Sequence, residues 1–275
     1  MTTRPLPPTC QPEDGRPAAR LALRALALYG LFLGAAFTAL RWAAADEAGR
    51  IVGPLAAQVA MGLVIFVGAR LVLAGHAAAP RLVAARRLGT VPLVLIGIGG
   101  FLAQVSALSG ARLLTAAAPA GSPVGVDPGA WPFVFFTSVI AAPVLEEIFF
   151  RGLLQPVLSR RSALVGVVAT AALFGLAHGL DTPFRAVPAF GQGLVLGGVV
   201  LLTGRLRSAV IVHAVNNALV LAAGLLVALR PPEVASGASP AFLAVSAAAA
   251  AGLLAWGFAR IVRAPRTARA AATAA

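Results

Sequence analysis

The feature that most constrains this chain is a series of long apolar runs, at about residues 21–40, 51–75, 90–109, 131–158, 162–179, 186–203, 208–229 and 241–259. A helix rises ~1.5 Å per residue, so ~20 apolar residues cross the ~30 Å hydrocarbon core of a bilayer. Each run is long enough, or nearly so, for one crossing. The 275 residues are 59% hydrophobic and only 11% charged. A soluble domain is ~45–50% apolar and ~25% charged, so this composition excludes one. The scarcity of charge also excludes a disordered chain. The runs are rich in Ala, Leu, Gly and Val and lack the ~10-residue alternation of a membrane β-barrel. The expected fold is therefore all-α: a polytopic membrane protein of about eight transmembrane helices, with any active site inside the bundle.

The net charge of +13 comes entirely from Arg. A basic face interleaved with aromatics, as nucleic acid would require, is absent from the sequence, so no nucleic-acid partner is expected. The arginines instead alternate between connectors. Arg4, Arg16, Arg20 and Arg24, then Arg81, Arg86 and Arg87, then Arg160 and Arg161, then Arg205 and Arg207, then Arg260, Arg263, Arg266 and Arg269 occupy every second one. The intervening connectors hold only Arg41, Arg50, Arg112, Arg185 and Arg230. Positive charge stays on the cytoplasmic side, so both termini are expected there. The absence of Lys and the abundance of Ala fit a GC-rich bacterial genome, and hence a bacterial cytoplasmic membrane with lipid as the surrounding partner. Ala43-Ala44-Ala45 also fits a signal cleavage site. The long leader with Glu13 and Asp14 favours an uncleaved first helix. Cys10 stands alone in a polar stretch, so no disulfide is expected. Gly30/Gly34 and Gly193/Gly197 have the small-xxx-small spacing that lets membrane helices approach closely.

Ionisable groups inside apolar runs are functional by default, because each costs roughly 2.5–3.5 kcal/mol to insert. Of the acids, only Glu146 and Glu147 lie deep in a run, TSVIAAPVLEEIFFRGLLQPVL. Glu147 and Arg151 are four residues apart, so they share a helix face and can pair. Glu146 points ~100° away and is left to face a cavity. Pro143 loosens a nearby backbone bond and makes room. Phe174 and His178 repeat the four-residue spacing in the fifth run, and His213 and Asn217 in the seventh, with Asn216 as the neighbour able to replace Asn217. A Glu beside a His can hold and deprotonate a water, and a His with an Asn can donate to an oxyanion. Alternatively, Glu146, His178 and His213 can be read as three ligands of a Zn²⁺ with one open position. Depth strains the grouping. His213 lies only about six residues, or ~9 Å, into its run, and Glu146 about twelve, or ~18 Å, from the cytoplasmic end of its own. Their meeting requires tilt, a kink or a different helix boundary.

EExxxR (Glu146, Glu147, Arg151), then FxxxH (Phe174, His178), then HxxxN (His213, Asn217), in that order on successive helices, resembles the CAAX protease and bacteriocin-processing (CPBP) family, related to the type II CAAX prenyl endopeptidases. GQGLVLGGVVLLTGRL, between the last two motifs, is similar to a Gly-rich helix and turn of that family. The resemblance covers about residues 130–225. It implies an intramembrane endopeptidase, of a family usually called metalloproteases, acting on membrane-associated peptide or protein substrates. In it Glu146 activates water with help from His178, Glu147 and Arg151 position that centre, and His213 with Asn217 stabilises the oxyanion. Prenylated substrates are not implied for a chain of bacterial composition. Residues 1–20 then read as a disordered cytoplasmic tail. Residues 21–125 hold the first three helices and an external loop, 126–230 form the catalytic core, and 231–275 contain the last helix and a basic tail. A proton- or ion-coupled transporter using the Glu pair as a relay, and a non-catalytic immunity or scaffold protein, are the competing classes. No HExxH or GxGD motif is present, and no His follows His213 as rhomboid-type serine chemistry would need.

Overall fold

A computed structural model describes residues 16–43, 56, 58–68, 70, 86, 88–115, 131–160, 162–180, 183–228 and 239–266. Among these, every apolar run forms a helix: α1 (Arg16–Ala43), α2 (Gln58–Gly68), α3 (Thr90–Thr115), α4 (Trp131–Leu158), α5 (Ala163–His178), α6 (Ala186–Thr203), α7 (Leu206–Ala228) and α8 (Pro240–Arg263). Five of them, α3, α4, α6, α7 and α8, are long and apolar enough to cross a membrane, while α2 and α5 are shorter apolar helices. The chain is thus an all-helical, polytopic membrane protein. Two expectations shift. Helix α1 begins at Arg16, inside the stretch read as a tail, because Pro17 fits a first helical position and Ala18 and Ala19 propagate it. Residues 1–15, Cys10, the Ala44-Ala45 half of the cleavage-like site and most of the external loop lie outside the described residues. Helix α5 has 16 residues, ~24 Å, so a start at one membrane face leaves its His178 end short of the other.

Two apolar clusters hold the bundle. In the first, the α1 stripe Leu21, Ala25, Leu28 and Phe32 packs with Met61 of α2, with Phe149, Phe150, Leu153, Leu154 and Val157 of α4, and with Phe174 of α5. Tyr29 locks it, its hydroxyl donating to the Leu173 carbonyl at 2.5 Å. In the second, Leu93 and Ile96 of α3 meet Leu196, Val199 and Val200 of α6, Ala209 and Val212 of α7, and Ile261 of α8. The polar centre lies where α4, α5, α6 and α7 pass between them.

Close approach of α5 and α6 depends on Gly193, where a Cβ would stand 2.8 Å from the Ala171 Cα. The other small-xxx-small pair does not behave this way. Gly30 and Gly34 meet nothing within 4 Å among the described residues, because α1 turns its Leu21–Phe32 stripe inward. Helix α6 stops at Gly204, whose φ of 65° is the left-handed conformation glycine tolerates, and α7 follows at once. Ser162 and Ser239 cap α5 and α8. The Arg86 guanidinium donates to the Ile261, Val262 and Ala264 carbonyls at the α8 terminus, and its backbone N–H to the Thr203 carbonyl. Three of the arginine-bearing connectors thereby meet at one end of the bundle.

Candidate active site

The site is built on an irregular α4. Residues 136–141 and 148–154 are π-helical, with the Ala142 N–H bonded to the Thr137 carbonyl and the Gln155 N–H to the Phe150 carbonyl, five residues back. Each stretch ends two residues before a proline, Pro143 and Pro156. A proline ring clashes with the carbonyl four residues earlier, and widening the turn relieves the clash. In the same register, the residue due to bond the Ser138 carbonyl is Pro143, which has no N–H. The amide of Asn217, on α7, takes its place, Nδ2 donating to the Ser138 oxygen at 2.9 Å. This bond ties α7 to α4 at the π-helical stretch.

One turn further on, Glu147 and Arg151 are wholly enclosed, with NH1 donating to Oε1 at 3.0 Å. The second guanidinium nitrogen donates to the Gly193 carbonyl at 3.2 Å, and the guanidinium carbon lies 4.6 Å from the centre of the Phe174 ring. Glu147 Oε1 also receives the His213 Nδ1–H at 2.9 Å. Gln155 continues this polar stripe one turn on, donating to the Gly197 carbonyl at 3.2 Å. Glycine carbonyls serve here because no side chain on α6 stands between them and α4.

Glu146 faces the other way. Its Oε2 lies 3.9 Å from His178 Nε2 and 3.8 Å from His213 Nε2. The hydrogen-bond network assigns the ring tautomers. His213 Nδ1 must donate to a carboxylate, and His178 Nδ1 must donate to the Phe174 carbonyl at 3.0 Å. Neutral rings then turn bare Nε2 lone pairs toward a carboxylate oxygen. Glu146 Oε2 is buried and makes no hydrogen bond among the described residues. The Phe174 ring packs on both imidazoles, 4.3 Å from His178 and 5.7 Å from His213 between centroids. Access is graded: the His178 side chain is 36% exposed, Glu146 14% and His213 3%.

Five of the six expected site residues are thus brought together, Glu146, Glu147 and Arg151 from α4, His178 from α5 and His213 from α7, while Asn217, one turn on from His213, is tied to the Ser138 carbonyl of α4. A direct metal site is a poorer fit. Two donors ~2.1 Å from a tetrahedral zinc lie about 3.4 Å apart, closer than Glu146 stands to either ring. No group of three or more His, Cys, Asp or Glu among the described residues is placed to hold a metal ion. Ser138, Gln155 and Gln104 were not singled out from the sequence. All are uncharged, and only the position of Gln155, four residues beyond Arg151, signalled anything.

Residues 128–219 match the family model described as type II CAAX prenyl endopeptidase Rce1-like. Comparison with curated proteins and with solved structures gives no match. The matched range contains every one of the six residues above and spans α4 to the middle of α7. Residues 128–219 are therefore similar to the type II CAAX prenyl endopeptidase Rce1-like family, and the rest of the chain lies outside the match.

Proposed function

We propose that this chain is an intramembrane endopeptidase that hydrolyses peptide bonds of membrane-associated peptides or proteins. The observation that carries the reading is Glu146 Oε2, a buried and unpartnered carboxylate oxygen set between two imidazole nitrogens. Three acceptors around one point favour a guest that donates, and water is the smallest. A water there gives one hydrogen to Glu146 and one to an imidazole, which leaves its oxygen lone pairs for a carbonyl carbon. On attack, Glu146 takes the water proton, the C–O bond forms, and the carbonyl oxygen becomes an oxyanion. Asn217 donates to that oxyanion through its amide. His213 is kept turned toward Glu146 by its Nδ1–H bond to Glu147. The tetrahedral carbon then expels the amine, which receives the proton from Glu146. The new carboxylic acid gives its remaining proton to that amine, and the products are a carboxylate and an ammonium ion.

Glu147 and Arg151 act by holding His213 and the α4–α6 contact. The family's metalloprotease label suggests Zn²⁺ on Glu146, His178 and His213. Their spacing does not make that site, and no step here uses a metal. The arginine end of the bundle faces the cytoplasm of a bacterial cell in this reading. The test is substrate trapping. Membranes of the source cell carrying Glu146→Gln in place of the wild-type chain should accumulate uncleaved precursors. Identical membrane proteomes would overturn the reading.

A further inference from the structure

Asn217 is held by a chain of amides that starts outside the matched domain. Gln104, on α3, donates from Nε2 to Asn216 Oδ1 at 2.8 Å, across 112 residues of sequence. Asn216 donates from Nδ2 to Asn217 Oδ1 at 3.3 Å, and Asn217 donates from Nδ2 to the Ser138 carbonyl at 2.9 Å. Asn216 is buried, at 3% exposure. A carboxamide has two nearly superimposable orientations, which differ in whether a given edge shows an oxygen or an NH₂ group. The Ser138 carbonyl can only accept, so Asn217 must show it nitrogen. Asn217 Oδ1 must then find a donor, which Asn216 supplies, and Asn216 Oδ1 must find another, which Gln104 supplies. All three bonds run in one direction, from α3 through α7 to α4. One Asn217 amide hydrogen is left out of every hydrogen bond described.

We propose that Gln104 is a positioning residue for the hydrolytic centre, fixing the Asn216–Asn217 orientation so that Asn217 offers the substrate oxyanion a hydrogen fixed in place. The inference rests on the endopeptidase reading above. Without the Gln104 donor, Asn216 Oδ1 is a buried acceptor with nothing to accept from. Turning the Asn216 amide over cures that at the expense of facing its oxygen to Asn217 Oδ1. Two facing oxygens repel, and Asn217 cannot relieve them by turning over, because its own oxygen would then face the Ser138 carbonyl. The Asn217 amide is therefore pushed off its anchor, and the hydrogen it offers the oxyanion is no longer fixed in place, which raises the barrier without altering ground-state binding.

The experiment uses full-length protein in proteoliposomes and a peptide substrate cut by the wild type, with Glu146→Gln assayed beside it. Gln104→Leu removes the donor and nearly keeps the volume. Gln104→Met is the second variant if the first does not fold. The expected result is a kcat about tenfold lower, the scale of one hydrogen bond's contribution, with KM unchanged. In an Asn217→Ala background the same change should have no further effect, because Gln104 acts only through that amide. A full kcat in a folded Gln104 variant, or equal losses with and without Asn217, would overturn the positioning role while leaving the endopeptidase reading intact. Cleavage that survives Glu146→Gln would instead overturn the reading, and this inference with it.

Discussion

Glu147→Gln isolates the energetics of the enclosed ion pair. The substitution keeps the shape of the side chain and removes its charge. Arg151 is then a buried cation whose hydrogen-bond acceptors, the introduced amide oxygen and the Gly193 carbonyl, are both neutral, against the Phe174 ring. Breaking a buried pair by neutralising one member costs ~3–5 kcal/mol. For a chain of this size each kcal/mol moves the melting temperature by about 2–4 °C, so a fall on the order of 10 °C is expected. Neutralising both members, Glu147→Gln with Arg151→Met, should recover most of the fall, because apolar replacement of a buried pair is often close to neutral. Thermal unfolding in detergent micelles, followed by the fluorescence of Trp131 and Trp256, reads both. A single variant melting within about 2 °C of wild type, or a double variant no better than the single, would refute the claim that the charges depend on each other.

Gly193→Ala should weaken the α5–α6 contact by ~1–3 kcal/mol, since the new Cβ meets Ala171 backbone that cannot yield. Gly191→Ala, whose Cβ meets nothing within 4 Å, is the control, and comparative melting checks the pair. Pro143→Ala restores an N–H able to bond the Ser138 carbonyl, so Asn217 loses its exclusive anchor. Turnover should fall about tenfold, the scale of losing a supporting hydrogen bond, with no loss of melting temperature, and steady-state kinetics beside a melting curve separate the two.

Much of the architecture was readable before any coordinates, because a bilayer leaves the backbone few options. A run such as 186–203 has to be a helix to satisfy its N–H and C=O groups, and α6 spans those residues. The expense of charge in hydrocarbon singled out Glu146 and Glu147, and four-residue spacing gave the Glu147–Arg151 pair. Spacing along one helix does not reveal what a neighbouring helix offers. The Asn217–Ser138 bond depends on a proline displacing the α4 register, and the Gln104–Asn216 bond on how α3 meets α7. Uncharged amides carry no insertion penalty large enough to flag them. The Gly30/Gly34 spacing records only that an approach is allowed, and among the described residues none makes it, the larger apolar stripe of α1 turning inward instead.

The most direct test of the central claim, that Glu146 is the water-activating base, is single-turnover cleavage by purified full-length protein in proteoliposomes, wild type against Glu146→Gln. The isosteric amide cannot accept the proton, so the rate of bond cleavage should fall by roughly 10²–10⁴-fold with substrate binding retained. A Glu146→Gln protein that cleaves within about threefold of the wild-type rate would contradict it, since a step that draws ~10²-fold or more from its base cannot lose so little.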